Sequence, residues 1–195
     1  MGRFAMGAVL LGFCVGLQAQ SRLDISTVHG TPAELQTEAQ LQRLAEHYDL
    51  SPWLFTHTIR IDEQTIPHSH PVLTLHTRHL KDDELLVSTF VHEELHWFIE
   101  QHRKDADAAI VDLKRSYAVI PVGYPQGSAD EDGNYEHLLV IYLEYRADRS
   151  LLGELRAREV MDFWAQDHYT WLYQAVLDHP TEIGAVVRRH GLIPS

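Results

Sequence analysis

The chain has a single cysteine, Cys14, among 195 residues. One thiol cannot close a disulfide within the chain, and it rules out the thiolate clusters that build many structural zinc and iron–sulfur sites. Basic residues are also scarce: 16 Lys and Arg stand against 28 Asp and Glu, a formal net charge of −12. An acidic chain without a basic patch does not suit a phosphate backbone, so no nucleic-acid partner is expected. No run beyond the N-terminus is long and apolar enough for a membrane span, and there are no internal repeats.

The N-terminus reads as a targeting segment. Arg3 supplies the positive end, Phe4 to Leu17 is a short apolar run, and the small residue Ala19 precedes Gln20 and Ser21. That order is a secretory signal pattern, with residues 1–19 removed and the protein exported to the periplasm or the medium. The run is short for a retained anchor, so no stable membrane insertion is expected after removal. Phe13, directly before Cys14, is too large for a lipidation site. Residues 20–195 then form one domain with a real core. Its charge becomes −13 with Arg3 gone.

Histidine is abundant, with 14 in the chain. Two of them, His92 and His96, frame the sequence His92-Glu93-Glu94-Leu95-His96. On a helix, positions i and i+4 share a face, so both imidazoles reach one ion. Glu93 lies beside the ion and can hold the attacking water and take its proton. The flanks support a helix. Asp82, Asp83 and Glu84 precede an apolar run of helical recurrence, and no Gly or Pro interrupts residues 82–104. Trp97 on this helix reads as a packing residue.

A catalytic zinc site commonly takes three protein ligands and leaves one position open. Three residues compete for the third place. His102 has the spacing of the extended HExxHxxGxxH pattern, but Ile99 stands where glycine is needed to leave the helix. Continuing helix would rotate His102 off the metal face. Glu144 lies in a second helical segment, His137 to Leu152, with Asp148 at i+4 on the same face. His137 is seven residues before Glu144, on the same face and about 10 Å away along the axis, so the two cannot share one ion. A di-iron site is set aside, because no second Glu-xx-His accompanies Glu93 and His96.

The HExxH of residues 92–96, followed by Glu144-xxx-Asp148, resembles the paired signatures of the gluzincin metallopeptidases. The likeness covers only these two helices. It implies one Zn2+ per chain held by His92, His96 and Glu144. It implies Glu93 as general base, and Asp148 behind a ligand histidine, fixing its tautomer. Thermolysin-like members carry a tyrosine at an offset similar to Tyr135. Tyr135 and His137 are therefore the expected donors to the oxyanion of a tetrahedral intermediate.

Other segments frame this pair. Thr31-Pro32-Ala33-Glu34 combines a capping Thr, a Pro at the first helical position and a Glu two further on. Residues 58–61 and 72–75 read as short strands around a turn near Pro67, forming a small sheet beside the HExxH helix. An edge strand there would align an extended peptide. The histidines from His57 to His79 read as strand-face or loop residues rather than a second metal site. Residues 120–135 read as a loop able to cover the cleft, with Tyr124 its best substrate contact. His168 and Tyr169 are further candidates for the cleft wall. Residues 181–190 read as a last helix ended by Gly191.

The expected fold is α+β and mostly helical: a compact zincin-like domain with a small sheet. The expected activity is hydrolysis of peptide or protein substrates by zinc-activated water. Two alternatives remain at this level: a zinc-binding scaffold without peptidase activity, and a helical interaction domain whose HExxH is accidental.

Overall fold

The computed structural model describes residues 23–194. The signal segment expected over residues 1–19 lies outside them. Strand β1 (Asp24–Thr27) leads into helix α1 (Pro32–His47), then β2 (Thr58–Ile61) and β3 (Leu73–Leu75). Six more helices follow: α2 (Asp83–Gln101), α3 (Arg103–Ser116), α4 (Glu131–Leu152), α5 (Glu154–Asp167), α6 (Thr170–Asp178) and α7 (Pro180–Arg189). The architecture is α+β and mostly helical, as the sequence led us to expect. No helix among the described residues is long and apolar enough to cross a membrane.

The sheet has the order β1-β2-β3, and both pairs are parallel. Strands β2 and β3 are therefore not a hairpin around Pro67. Parallel neighbours need a crossover. Helix α1 supplies it between β1 and β2, and residues 62–72 cross back between β2 and β3 without a helix. The outer edge of β3 is engaged at Thr74, which pairs in antiparallel fashion with His68. That contact occupies part of the edge expected to receive a peptide. Leu41 and Leu44 from α1, Ile59 and Ile61 from β2, Leu73 and Leu75 from β3, and Leu86 and Phe90 from α2 join one buried core.

Thr31 caps α1 by accepting from the Glu34 amide at 3.2 Å. Glu34 does more than a capping glutamate. Its Oε2 accepts from the amides of His29 (2.7 Å) and Gly30 (2.8 Å), and its Oε1 accepts from the Glu63 amide at 3.2 Å. One buried carboxylate thus ties the end of β1 to the turn after β2.

Helix α2 stops at Gln101 rather than running through residue 104. His102 leaves helical geometry (φ −114°, ψ 29°), and α3 starts directly after it. No glycine was needed, because the His102 ring folds back: its Nδ1 lies 2.9 Å from the Phe98 carbonyl and it packs on the Phe98 ring. Helix α4 starts earlier than expected. Asp130 accepts from the Gly133 amide at 2.7 Å and caps the helix there. Tyr135 and His137 consequently sit inside the helix, not before it or at its start.

Glu34 gives a stability test. Burial by itself raises its pKa, but the three amides and nearby His29 outweigh burial and hold it below 4.5. A depressed carboxylate stabilises the fold above its unfolded pKa and loses that contribution as pH falls through its folded value. Glu34→Gln, which offers one acceptor oxygen, should cost about 1–3 kcal/mol at neutral pH in urea unfolding. The gap between the two proteins should narrow in acid, below pH 4.5. A gap that stays constant down to the acid transition would show that the charge on Glu34 contributes nothing.

Candidate metal centre

Helices α2 and α4 pack antiparallel, as their cross-links show. His96 on α2 meets Glu136 on α4, His92 meets Glu144, and Ser88 meets Glu144 and Asp148. Moving back along α2 by about a turn at a time means moving forward along α4. Near the C-terminal part of α2, His137 comes against both motif histidines. Its ring centroid lies 5.7 Å from that of His92 and 4.9 Å from that of His96. One ring nitrogen from each of His92, His96 and His137 falls within 4.8 Å of the others.

Each ring is fixed through Nδ1. The Nδ1 of His92 lies 2.8 Å from Glu144 Oε2, that of His96 3.3 Å from Glu136 Oε1, and that of His137 2.7 Å from the Gly133 carbonyl. A carbonyl only accepts, so His137 carries its proton on Nδ1. With the same tautomer in His92 and His96, facing Glu144 and Glu136, three Nε2 lone pairs would be free. Neutral imidazoles backed by carboxylates or a carbonyl are the arrangement that metal-binding histidines adopt. Burial, reinforced by the neighbouring imidazoles, lowers the pKa of His92 and takes His137 down to about 3, keeping both neutral. The donor set fits zinc: nitrogen ligands, no thiolates and room for a further ligand.

The structure brings His137, rather than the expected Glu144, together with His92 and His96. Glu144 lies behind His92 and is already engaged. Its Oε2 accepts from His92 and from the Tyr173 hydroxyl at 3.0 Å, and its Oε1 accepts from Ser88 at 2.6 Å. The orienting role expected of Asp148 thus belongs to Glu144. Asp148 sits one layer further back and reaches Ser88 Oγ at 3.0 Å, not a histidine.

Proton counting at Ser88 assigns Asp148. Ser88 Oγ has one proton, and it already accepts from Trp164 Nε1 at 3.0 Å. It can donate to only one of the two carboxyl groups. Burial lifts the Glu144 pKa to about 7, but its three donors pull against that, so of the two it is the better anion. Asp148 has one partner, and its Oδ1 is buried without any. Burial, with Glu144 adding to it, pushes the Asp148 pKa well up. Asp148 is therefore the neutral acid, and its hydroxyl donates to Ser88.

Tyr135 is the other correction. It is buried within α4, and its hydroxyl donates to the Tyr117 carbonyl at 2.6 Å. It does not line the cavity. Other residues occupy the wall assigned to it. The cavity, of about 640 Å³, is bounded by the three histidines and Glu93 together with Tyr124, His168, Tyr169 and Tyr173. Tyr169 packs on His137 with ring centroids 4.4 Å apart. It has a left-handed backbone (φ 48°), which is rare for an aromatic residue and is held in place by its surroundings. The adjoining Thr170 and Trp171 amides are pinned to the carbonyls of Pro125 and Gln126. Nothing in the sequence marks that conformation. His168 Nδ1 lies 2.9 Å from Asp167 Oδ2. Tyr124 sits on the loop side of the cavity as expected, with its hydroxyl 3.3 Å from the Asp167 carbonyl.

Glu93 faces the cavity, and its carboxyl has no hydrogen-bond partner among the described residues. Burial, with Glu144 adding to it, pushes its pKa up to about 8. A divalent cation alongside would bring it down again. The histidines between His57 and His79 do not gather into a site. His70 stacks on Trp97 at 4.2 Å and pairs with Glu100, while His79 is buried against Trp164. His29, Glu34 and Asp62 also lie close together, but Glu34 is committed to backbone amides.

Comparison with protein-family models, with curated proteins and with solved structures gives no match for this chain.

The proton assignment behind His92 has a measurable consequence. Asp148→Asn keeps a donor toward Ser88 and should change zinc affinity by less than about threefold, whereas Glu144→Gln should weaken it roughly 10- to 100-fold. Competition with a chromophoric chelator measures both. Equal losses would show that Asp148 is the anion instead.

Proposed function

We propose that the protein is a zinc-dependent hydrolase acting on peptide bonds. One observation carries this reading: three imidazoles, each anchored through Nδ1, converge beside an unpartnered, buried glutamate at one cavity. Zinc bound there would supply a Lewis acid that polarises a carbonyl and acidifies water. His92, His96 and His137 would hold it, one ion per chain. Glu93 takes the proton of the attacking water and passes it to the leaving amine. Glu144 and Glu136 keep His92 and His96 in the binding tautomer. His168, aligned by Asp167, and Tyr169 are placed to donate to the developing oxyanion. With the N-terminal pattern of residues 1–19, we take the enzyme to be exported.

The likeness to gluzincins is narrower on this reading. The HExxH helix is kept, but the third ligand is a histidine, and the glutamate of the second signature backs His92.

Elemental analysis of untagged protein should give about one zinc per chain, and His137→Ala should lose most of it. Glu93→Gln should keep the zinc and lose hydrolysis by roughly 10²- to 10⁴-fold. Hydrolysis that survives Glu93→Gln removes Glu93 from the chemistry. One zinc with no turnover on any peptide favours a zinc-binding scaffold, and no zinc after reconstitution leaves the motif without a metal role.

Donation by His168 separates from metal binding. His168→Phe should lower kcat by about 10²- to 10³-fold with KM within a few-fold and zinc unchanged. An unchanged kcat would leave Tyr169 as the remaining candidate.

A further inference from the structure

The proposed chemistry leaves one wall of the cavity unused. The short 3-10 turn Thr77–His79 presents Arg78 and His79 to it, opposite the end of α5. His79 is only 6% exposed, and its ring packs edge-on against Trp164 at 5.3 Å. Neither ring nitrogen has a hydrogen-bond partner among the described residues. The ring nitrogens are not sealed off in the interior, so solvent or a ligand in the cavity can pair with them.

Arg78 is half-spent. One guanidinium nitrogen donates to Asp167 Oδ1 at 2.7 Å, which tethers the group at the cavity wall. Its other N–H groups have no protein acceptor among the described residues. Asp167 does not compete for them with a free oxygen, since its Oδ2 is taken by His168. The wall therefore offers a tethered guanidinium with spare donors next to an imidazole whose nitrogens are open to the cavity.

We propose that Arg78 and His79 form a subsite for a carboxylate carried by the substrate. A guanidinium fork and an adjacent imidazole match a carboxylate's planar oxygen pair. The group sits in the same cavity as the three histidines, so the carboxylate would be read at the same time as the bond to be cleaved. The inference rests on the hydrolase reading for what the carboxylate is attached to, but carboxylate binding itself needs no turnover. Its source is a peptide C-terminus or an acidic side chain.

Isothermal titration separates these cases. The probes are N-acetyl-leucyl-phenylalanine with a free carboxylate, the same dipeptide as its C-terminal amide, and N-acetyl-glutamyl-phenylalanine amide. Each is titrated into the inactive Glu93→Gln protein, both zinc-loaded and chelator-treated. At least one carboxylate probe should bind about tenfold tighter than the uncharged amide in both states. The stronger of the two identifies the source. Arg78→Gln should bring the preference to within about twofold, with zinc content unchanged, and Arg78→Lys should regain part of it. His79→Phe should weaken carboxylate binding while leaving the amide unaffected. Arg78 is largely at the surface, so its variants should fold even where His79→Phe does not. Equal binding of acid and amide overturns the subsite, as does no detectable binding of any probe. A preference that survives Arg78→Gln, or appears only with zinc, also overturns it, because the carboxylate is then on the metal. Loss of zinc binding or hydrolysis in the parent would strike the hydrolase reading and leave the chelator-treated titrations standing.

Discussion

The antiparallel pairing of α2 and α4 is the constraint on which the site depends. Two apolar helices could pack in many registers, because Leu and Val surfaces discriminate weakly between them. The polar tie removes that freedom. Ser88, His92 and His96 on one helix must meet Glu144, Asp148 and Glu136 on the other. A shift by one turn would leave several buried polar groups without partners, each costing about 1–3 kcal/mol. Arg103 extends the register at the open end, donating to Glu136 at 2.8 Å. The contacts that fix the register therefore also fix the histidine tautomers.

This register explains how much of the site was legible. His92, Glu93 and His96 lie within five residues of one helix, where periodicity alone places them. The importance of α4 was legible as well, because His137, Glu144 and Asp148 share a face. Which of them comes against His92 and His96 was not. His137 and Glu144 are two turns apart, and only the height at which α4 crosses α2 decides between them. No local feature of either helix encodes that height. The hydrogen-bond partners do, and they become visible only once the helices are paired. Tyr135 failed for a related reason: Asp130 starts α4 early and turns that side chain toward Tyr117.

The small sheet shows the same division. Strands β2 and β3 were visible as short apolar runs, but their parallel relation was not. A stretch of about ten residues containing Pro67 and Pro71 reads as a hairpin turn, and here it crosses over instead. That crossing has a use. It brings residues 66–69 to the rim of the cavity, where Trp97 Nε1 donates to the Ser69 carbonyl at 3.0 Å and holds the rim against α2. Trp97, which reads as packing alone, thus also fixes one lip of the cleft. The opposite lip, at Tyr124, is held by Asn134, which bonds the Pro121 carbonyl and the Ser128 amide.

Four acidic side chains are buried on or beside these two helices, and burial opposes the charge on each. Each meets that opposition differently. Glu144 draws three donors behind His92, and the hydrogen bonds from Ser88 and Tyr173 pull against burial, which still lifts its pKa to about 7. Asp148, with one partner, keeps its proton. Glu94 accepts from the amides of Phe55 and Thr56, at 2.7 and 2.9 Å, and anchors the segment before β2. Its second oxygen is closed off within the protein. Glu93 and Glu144 both border the cavity, but Glu93 alone among the four has no protein donor among the described residues. Its neighbours each hold at least one protein donor or partner, whereas the carboxyl of Glu93 is left to the cavity where three imidazoles converge, and a cation bound there would lower its raised pKa toward that of a base. That contrast within one set of buried carboxyls, more than the motif itself, is what supports giving Glu93 the proton-transfer role in the proposed hydrolase.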